Sequence, residues 1–166
     1  MGELRALVVE DSVVHQRLLA EAFRAVGQPV RLEVHANAES AWDAIEAMRY
    51  QTPAEWPDFA IVDVGLPGIS GIELVDRIRQ LRPFDEWPIV VLTASQDPED
   101  RTESYLAKAT GYFLKPTVAS GYASLVRGIL RFLGLPPEAG SAAGHPSPYP
   151  RPGNGKPDSP SPRRSS

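Results

Sequence analysis

At 166 residues the chain holds one domain of ordinary size plus a short extra segment. Its 42% hydrophobic content supports a single sizeable core, and a net charge of −4 offers no basic footprint for nucleic acid. The lack of cysteine removes disulfides, thiolate zinc sites and thiol nucleophiles, and no apolar run nears the roughly 18 residues that span a bilayer. The first residues carry no basic flank leading into an apolar core, and Ala6 stands where myristoylation needs Ser or Thr, so a cytoplasmic protein without a membrane anchor is expected.

Leu4 to Val9 reads as a first strand that ends on the acid pair Glu10-Asp11. Ser12 then caps a helix whose stripe is Val14, Leu18, Leu19, Ala22, Phe23 and Val26, stopped by Gly27 and Pro29. Val30 to Ala36 alternates apolar and polar residues, the pattern of a more exposed edge strand. Asn37 caps a second helix with Ala41, Trp42, Ile45 and Met48 on one face, and the proline-marked stretch from Gln51 to Asp58 reads as a loop. Phe59 to Val62 is a short apolar run that suits a strand buried on both faces; it breaks on Asp63 and a loop containing Gly65, Pro67, Gly68 and Gly71.

Ser70 and Glu73 have the spacing of a capping box and open a third helix to about Leu81, closed by Pro83. Ile89 to Leu92 is another buried strand and ends on Thr93. Asp97, Pro98, Glu99 and Asp100 supply a cap, a first-turn proline and an acidic first turn for a fourth helix to about Lys108. Tyr112 to Leu114 is a short fifth strand ending on Lys115-Pro116, and Thr117 is expected to cap a last helix carrying Tyr122, Leu125, Val126, Ile129, Leu130 and Leu133. Five strands alternating with five helices imply an α/β fold, a doubly wound parallel sheet covered on both sides. Residues 136–166 hold nine of the seventeen prolines and almost no large aliphatics, so a domain over 1–135 and a disordered tail over 136–166 are expected. The tail nets +2, leaving −6 for the rest by difference.

Strand ends deliver Glu10, Asp11, Asp63, Thr93 and Lys115 to one rim of the sheet, where open α/β sheets bind ligands. Three carboxylates crowded together call for a cation, and oxygen ligands without His or Cys suit Mg²⁺. Acid, Mg²⁺, lysine and hydroxyl together fit phosphoryl transfer, with a carboxylate able to act as nucleophile and form an acyl phosphate.

Val8-Val9-Glu10-Asp11-Ser12, Ile61-Val62-Asp63-Val64-Gly65-Leu66-Pro67, Val91-Leu92-Thr93-Ala94-Ser95 and Gly111-Tyr112-Phe113-Leu114-Lys115-Pro116 together resemble the receiver domain of two-component response regulators, across about residues 4 to 134. The resemblance implies the flavodoxin-like strand order 2-1-3-4-5. It implies that Asp63 accepts a phosphoryl group from a histidine kinase or phosphotransfer protein. By the same resemblance Asp11, Asp63 and the Gly65 carbonyl would hold Mg²⁺, Glu10 would act mostly through water, and Lys115 would contact the phosphoryl oxygens. Thr93 would move toward the phosphoryl group and let Tyr112 turn inward, altering the face of the fourth helix, fifth strand and fifth helix for a downstream protein. Lys108 stands where many relatives have Gly; a positive φ there would cost a non-Gly residue roughly 1 kcal/mol.

Plainer readings stand beside these. Each acid alone could be a helix cap, Thr93 could satisfy backbone at a strand end, Tyr112 could be a core aromatic, and Trp42 and Trp56 are expected to pack. His15 falls on the exposed side of the first helix, and a phosphohistidine role for it is set aside. The expected function is a single-domain response regulator that signals by protein contact or relays its phosphoryl group, catalysing only its own phosphorylation and dephosphorylation. One competitor is a haloacid-dehalogenase-like Mg²⁺ phosphohydrolase, which needs a second acid two residues after its nucleophile, where Gly65 stands. A flavodoxin-like cofactor carrier lacks the hydroxyl- and Gly-rich loop after the first strand. A receiver-like module that binds partners without phosphorylation is the remaining alternative.

Overall fold

The computed structural model describes residues 3–82 and 84–135. The strands are β1 (Leu4–Val9), β2 (Val30–His35), β3 (Phe59–Asp63), β4 (Ile89–Thr93) and β5 (Gly111–Leu114). The helices are α1 (Val13–Ala25), α2 (Ala38–Met48), α3 (Gly71–Gln80), α4 (Pro98–Leu106) and α5 (Tyr122–Phe132). All strand pairs are parallel, in the order β2-β1-β3-β4-β5, so the doubly wound, flavodoxin-like fold expected from the sequence is the one observed. The reading of residues 136–166 as a tail, and of Pro83 as the stop of the third helix, lies outside the described residues.

Side chains alternate across the sheet and divide the core in two. Leu7, Val9, Ala60, Val62, Ile89 and Val91 pack against α2 and α3. Ala6, Val8, Phe59, Ile61, Val90 and Leu92 pack against α1 and α5. Every residue of β3 and β4 is buried, as apolar runs without polar alternation require in a sheet covered on both faces. Edge strand β2 has no buried residue, in keeping with its polar alternation.

The cap residues behave as the sequence suggests at α1, α2 and α3: the side chains of Ser12, Asn37 and Ser70 accept from the backbone N–H of His15, Ser40 and Glu73. The start of α5 differs. Thr117 caps nothing; a 3₁₀ turn at Ala119–Gly121 precedes the helix, which begins at Tyr122 without a side-chain cap. Gly121 lies so close to Pro116 that an added Cβ would sit 2.6 Å from the Pro116 Cβ, and this contact sets the entry to α5 in place of a cap. Val14 also departs from the expected stripe of α1, being 64% exposed. Short 3₁₀ turns at Pro53–Glu55 and Phe84–Glu86 interrupt two connections. Trp42 and Trp56 pack against the core as expected.

Arg79, at the end of α3, ties together the segments that lead into β4 and into β5. Its guanidinium donates to the carbonyls of Phe84, Trp87 and Lys108 and to Thr110 Oγ1, and burial lowers its pKa. Lys108 has φ 63°, so the left-handed turn after α4 is made by a lysine at the cost anticipated from its sequence position.

Candidate functional site

Strand alternation decides which rim residues meet. Glu10 continues the face of Ala6 and Val8, Asp63 that of Phe59 and Ile61, and Lys115 that of Phe113, all on the α1 and α5 side. The backbone keeps its register past the strand ends: Glu10 N–H donates to the His35 carbonyl and Lys115 N–H to the Thr93 carbonyl. Thr93 follows Ile89 and Val91 on the opposite face, and Tyr112 shares that face. The rim therefore separates into two groups, one on each side of the sheet.

On the α1 and α5 side, Lys115 Nζ donates to Asp63 Oδ2 at 2.9 Å and is ion-paired with Glu10 Oε2 at 2.7 Å. Glu10 is 1% exposed, Asp63 6% and the Lys115 side chain 8%, so these charges meet largely out of water. Asp11 is exposed at the mouth. Glu10, Asp11 and Asp63 each place a carboxylate oxygen within 4.8 Å of the others. Gly65 N–H donates to Asp63 Oδ1 at 3.0 Å, and Ser12 N–H to Glu10 Oε1 at 3.2 Å.

Burial raises the Glu10 pKa, opposed by Lys115 and reinforced by Asp63. Burial works to lower the Lys115 pKa, but its bonds to Glu10 and Asp63 outweigh it and hold the ammonium charged. Three carboxylates against one ammonium leave the cluster negative. An all-oxygen donor set with an exposed acid at its mouth fits a hard divalent cation that keeps some of its water.

On the other side, Thr93 Oγ1 accepts from Ser95 N–H at 3.0 Å, and the Tyr112 hydroxyl donates to the Ser95 carbonyl at 3.0 Å. Thr93 is buried and Tyr112 half-buried, with the Arg101 guanidinium 5.9 Å from the Tyr112 ring centroid. The two residues that the resemblance paired are thus joined through the backbone of one residue, Ser95, in the loop after β4. Gly71 seats α3 directly against the end of β3: a Cβ there would fall 2.0 Å from the Asp63 carbonyl oxygen.

Two residues of this neighbourhood escape the sequence reading. His15 is not turned away on the exposed side of α1. Its side chain is 39% exposed, and Nδ1 lies 3.2 Å from Lys115 Nζ and 3.6 Å from Glu10 Oε1. Its ring stacks on Tyr122, with centroids 6.3 Å apart and planes 30° apart. Tyr122 fulfils its expected place in the α5 stripe, yet its hydroxyl is buried without a hydrogen-bond partner, within electrostatic range of Lys115, Glu10 and Asp63. The available signal was position. His15 lies in the first turn of a helix that starts at the acid pair, so its side chain is never far from the rim.

Comparison with known proteins identifies the family to which this fold belongs. Residues 6–126 match the response regulator receiver domain. The two-component response regulator PhoP of Pseudomonas aeruginosa is 32% identical over 113 residues, covering 68% of this chain and 45% of its own length. The transcriptional regulatory protein AfsQ1 of Streptomyces coelicolor is 32% identical over 125 residues, covering 75% of this chain and 50% of its own. The chain therefore spans about half the length of these relatives. Among solved structures, the phosphorylated cyanobacterial phytochrome response regulator RcpA superposes with a TM-score of 0.71 at 25% identity, over 80% of this chain and 94% of that one. The Mn²⁺-bound form of response regulator Rcp1 gives 0.65 at 27% identity, over 78% and 93%. With the four rim motifs in one fold and the match running through all five strands, this chain belongs to the response regulator receiver domain family.

Proposed function

We propose that the protein is a phosphoacceptor switch in which Asp63 takes a phosphoryl group from a histidine kinase or histidine phosphotransfer protein. The observation that carries this reading is Lys115 Nζ at 2.9 Å from Asp63 Oδ2, inside a cluster that also holds Glu10 and Asp11. An Asp63 carboxylate oxygen attacks phosphorus, the bond from phosphorus to the donor nitrogen breaks, and the donor imidazole leaves with the electron pair and takes up a proton. Asp11 and Asp63, with the Gly65 carbonyl and with Glu10 through water, would hold Mg²⁺, which supplies charge neutralisation and alignment of the phosphoryl oxygens. Lys115 passes from the Asp63 carboxylate to a phosphoryl oxygen, keeping a positive charge against the transferred group.

Thr93 is the residue that senses the product. Its hydroxyl leaves the Ser95 N–H for the phosphoryl group, the loop follows, and the Tyr112 hydroxyl loses its acceptor at Ser95. The surface of α4, β5 and α5 then changes for a downstream protein, and this is the output. No nucleic acid is contacted by this domain, and no substrate is turned over beyond the protein's own Asp63. No helix among the described residues is long and apolar enough to cross a membrane. A phosphohydrolase reading is disfavoured because Gly65, where that chemistry needs an acid, gives only an N–H to Asp63 Oδ1.

Incubation with Mg²⁺ and acetyl phosphate is expected to add one phosphoryl group by intact mass, with none added to Asp63→Asn. Equal labelling of Asp63→Asn, or multiple turnover of phosphate esters by the native protein, would remove this reading.

A further inference from the structure

We propose that His15 is a positioning residue for Lys115: its Nδ1 accepts one ammonium hydrogen and holds the charge over Asp63 while the phosphoryl group arrives. The inference rests on Asp63 being the acceptor. A lysine ammonium has three hydrogens to place and a long stem that leaves it mobile. Here it faces three groups: Asp63 Oδ2 at 2.9 Å, Glu10 Oε2 at 2.7 Å and His15 Nδ1 at 3.2 Å.

Two of those partners have other duties. Asp63 changes its charge when it is phosphorylated, and the Glu10 carboxylate is drawn to a cation. His15 is the one acceptor that neither event recruits. Nδ1 as acceptor assigns the ring proton to Nε2. The His15 backbone is fixed by its N–H donating to the α1 cap Ser12, and the imidazole lies on Tyr122, which is 3% exposed. The sequence separation between His15 and Lys115 means that α1 and the end of β5 act on each other directly.

The rival explanation is packing alone, with the imidazole serving only as a flat surface for Tyr122. Two substitutions separate the roles. His15→Asn removes the ring and keeps an acceptor at the δ1 position; His15→Phe keeps the ring and removes the acceptor, and His15→Leu repeats that comparison should Phe disturb folding. Two measurements are made on the full chain. One is the phosphorylation rate against acetyl phosphate concentration with Mg²⁺. The other is the ¹⁵N–¹H signal of the Lys115 ammonium in the metal-free protein, visible only when its hydrogens exchange slowly.

Positioning through the acceptor makes the saturated rate of His15→Phe fall about tenfold at unchanged half-saturation, while His15→Asn stays within about twofold of native. The Lys115 signal is expected in the native protein and His15→Asn and lost in His15→Phe. A His15→Phe protein that keeps rate and signal, or a His15→Asn protein that falls as far, overturns the proposal. If the native protein takes no phosphoryl group, the function proposed above fails, and the ammonium signal alone then decides whether His15 positions Lys115.

Discussion

Glu10 shows how much a single side chain is asked to tolerate at this rim. Its carboxylate is buried beside Asp63, and burial is the largest influence on its pKa, which lies above the ordinary 4.5. A carboxyl that holds its proton more tightly folded than unfolded contributes stability to the metal-free protein that is fully present below pH 4.5 and is lost as pH rises through the raised folded value. Urea midpoints of the metal-free protein are expected to decline over that interval, and Glu10→Gln to show no such decline. His15 illustrates what a sequence cannot display at this scale. Its α1 position was legible, but its contact with Lys115 depends on how α1 packs beside α5 over the end of the sheet, which no local pattern encodes. Glu10, Asp63, Thr93 and Lys115 were legible because each stands at a place where an apolar run stops.

Elements read well wherever a run or a cap states its own boundary. The edges of β1 and the caps of α1, α2 and α3 follow Ser12, Asn37 and Ser70 in the simplest way. The start of α5 does not, because Thr117 looks like a cap while the chain is steered instead by Gly121 pressed against Pro116. Alternation along the strands also divides residues that the sequence reading gathered on one rim: the Glu10–Asp63–Lys115 cluster falls on the α1 and α5 side, and the Thr93–Ser95–Tyr112 linkage on the other. Gly71, at the start of α3, sits so close to the end of β3 that a Cβ there would fall 2.0 Å from the Asp63 carbonyl oxygen. That neighbour is backbone and cannot swing aside, so Gly71→Ala is expected to cost about 2–3 kcal/mol and to slow labelling of Asp63. Urea unfolding and the acetyl phosphate assay measure the two effects separately.

At the level of the molecule the rim draws on residues from Glu10 to Lys115, and a ligand for it binds only the folded chain. Mg²⁺ at about a hundred times its Kd is therefore expected to add about 2.7 kcal/mol of stability in urea titrations. Asp11→Asn, which removes the carboxylate at the exposed mouth of the acidic cluster, should lose most of that gain. The −6 charge carried outside residues 136–166 works in the same direction, since an acidic body draws a divalent ion toward it. The two ends of the cluster, Glu10 and Lys115, come from opposite extremes of the domain, one at the close of the first strand and the other just past the last. A chain still emerging from the ribosome presents Asp63 long before it owns the lysine that pairs with it. Until β5 has joined the sheet, the early acids stand without their ammonium, so this cluster is assembled only when nearly the whole domain has been made.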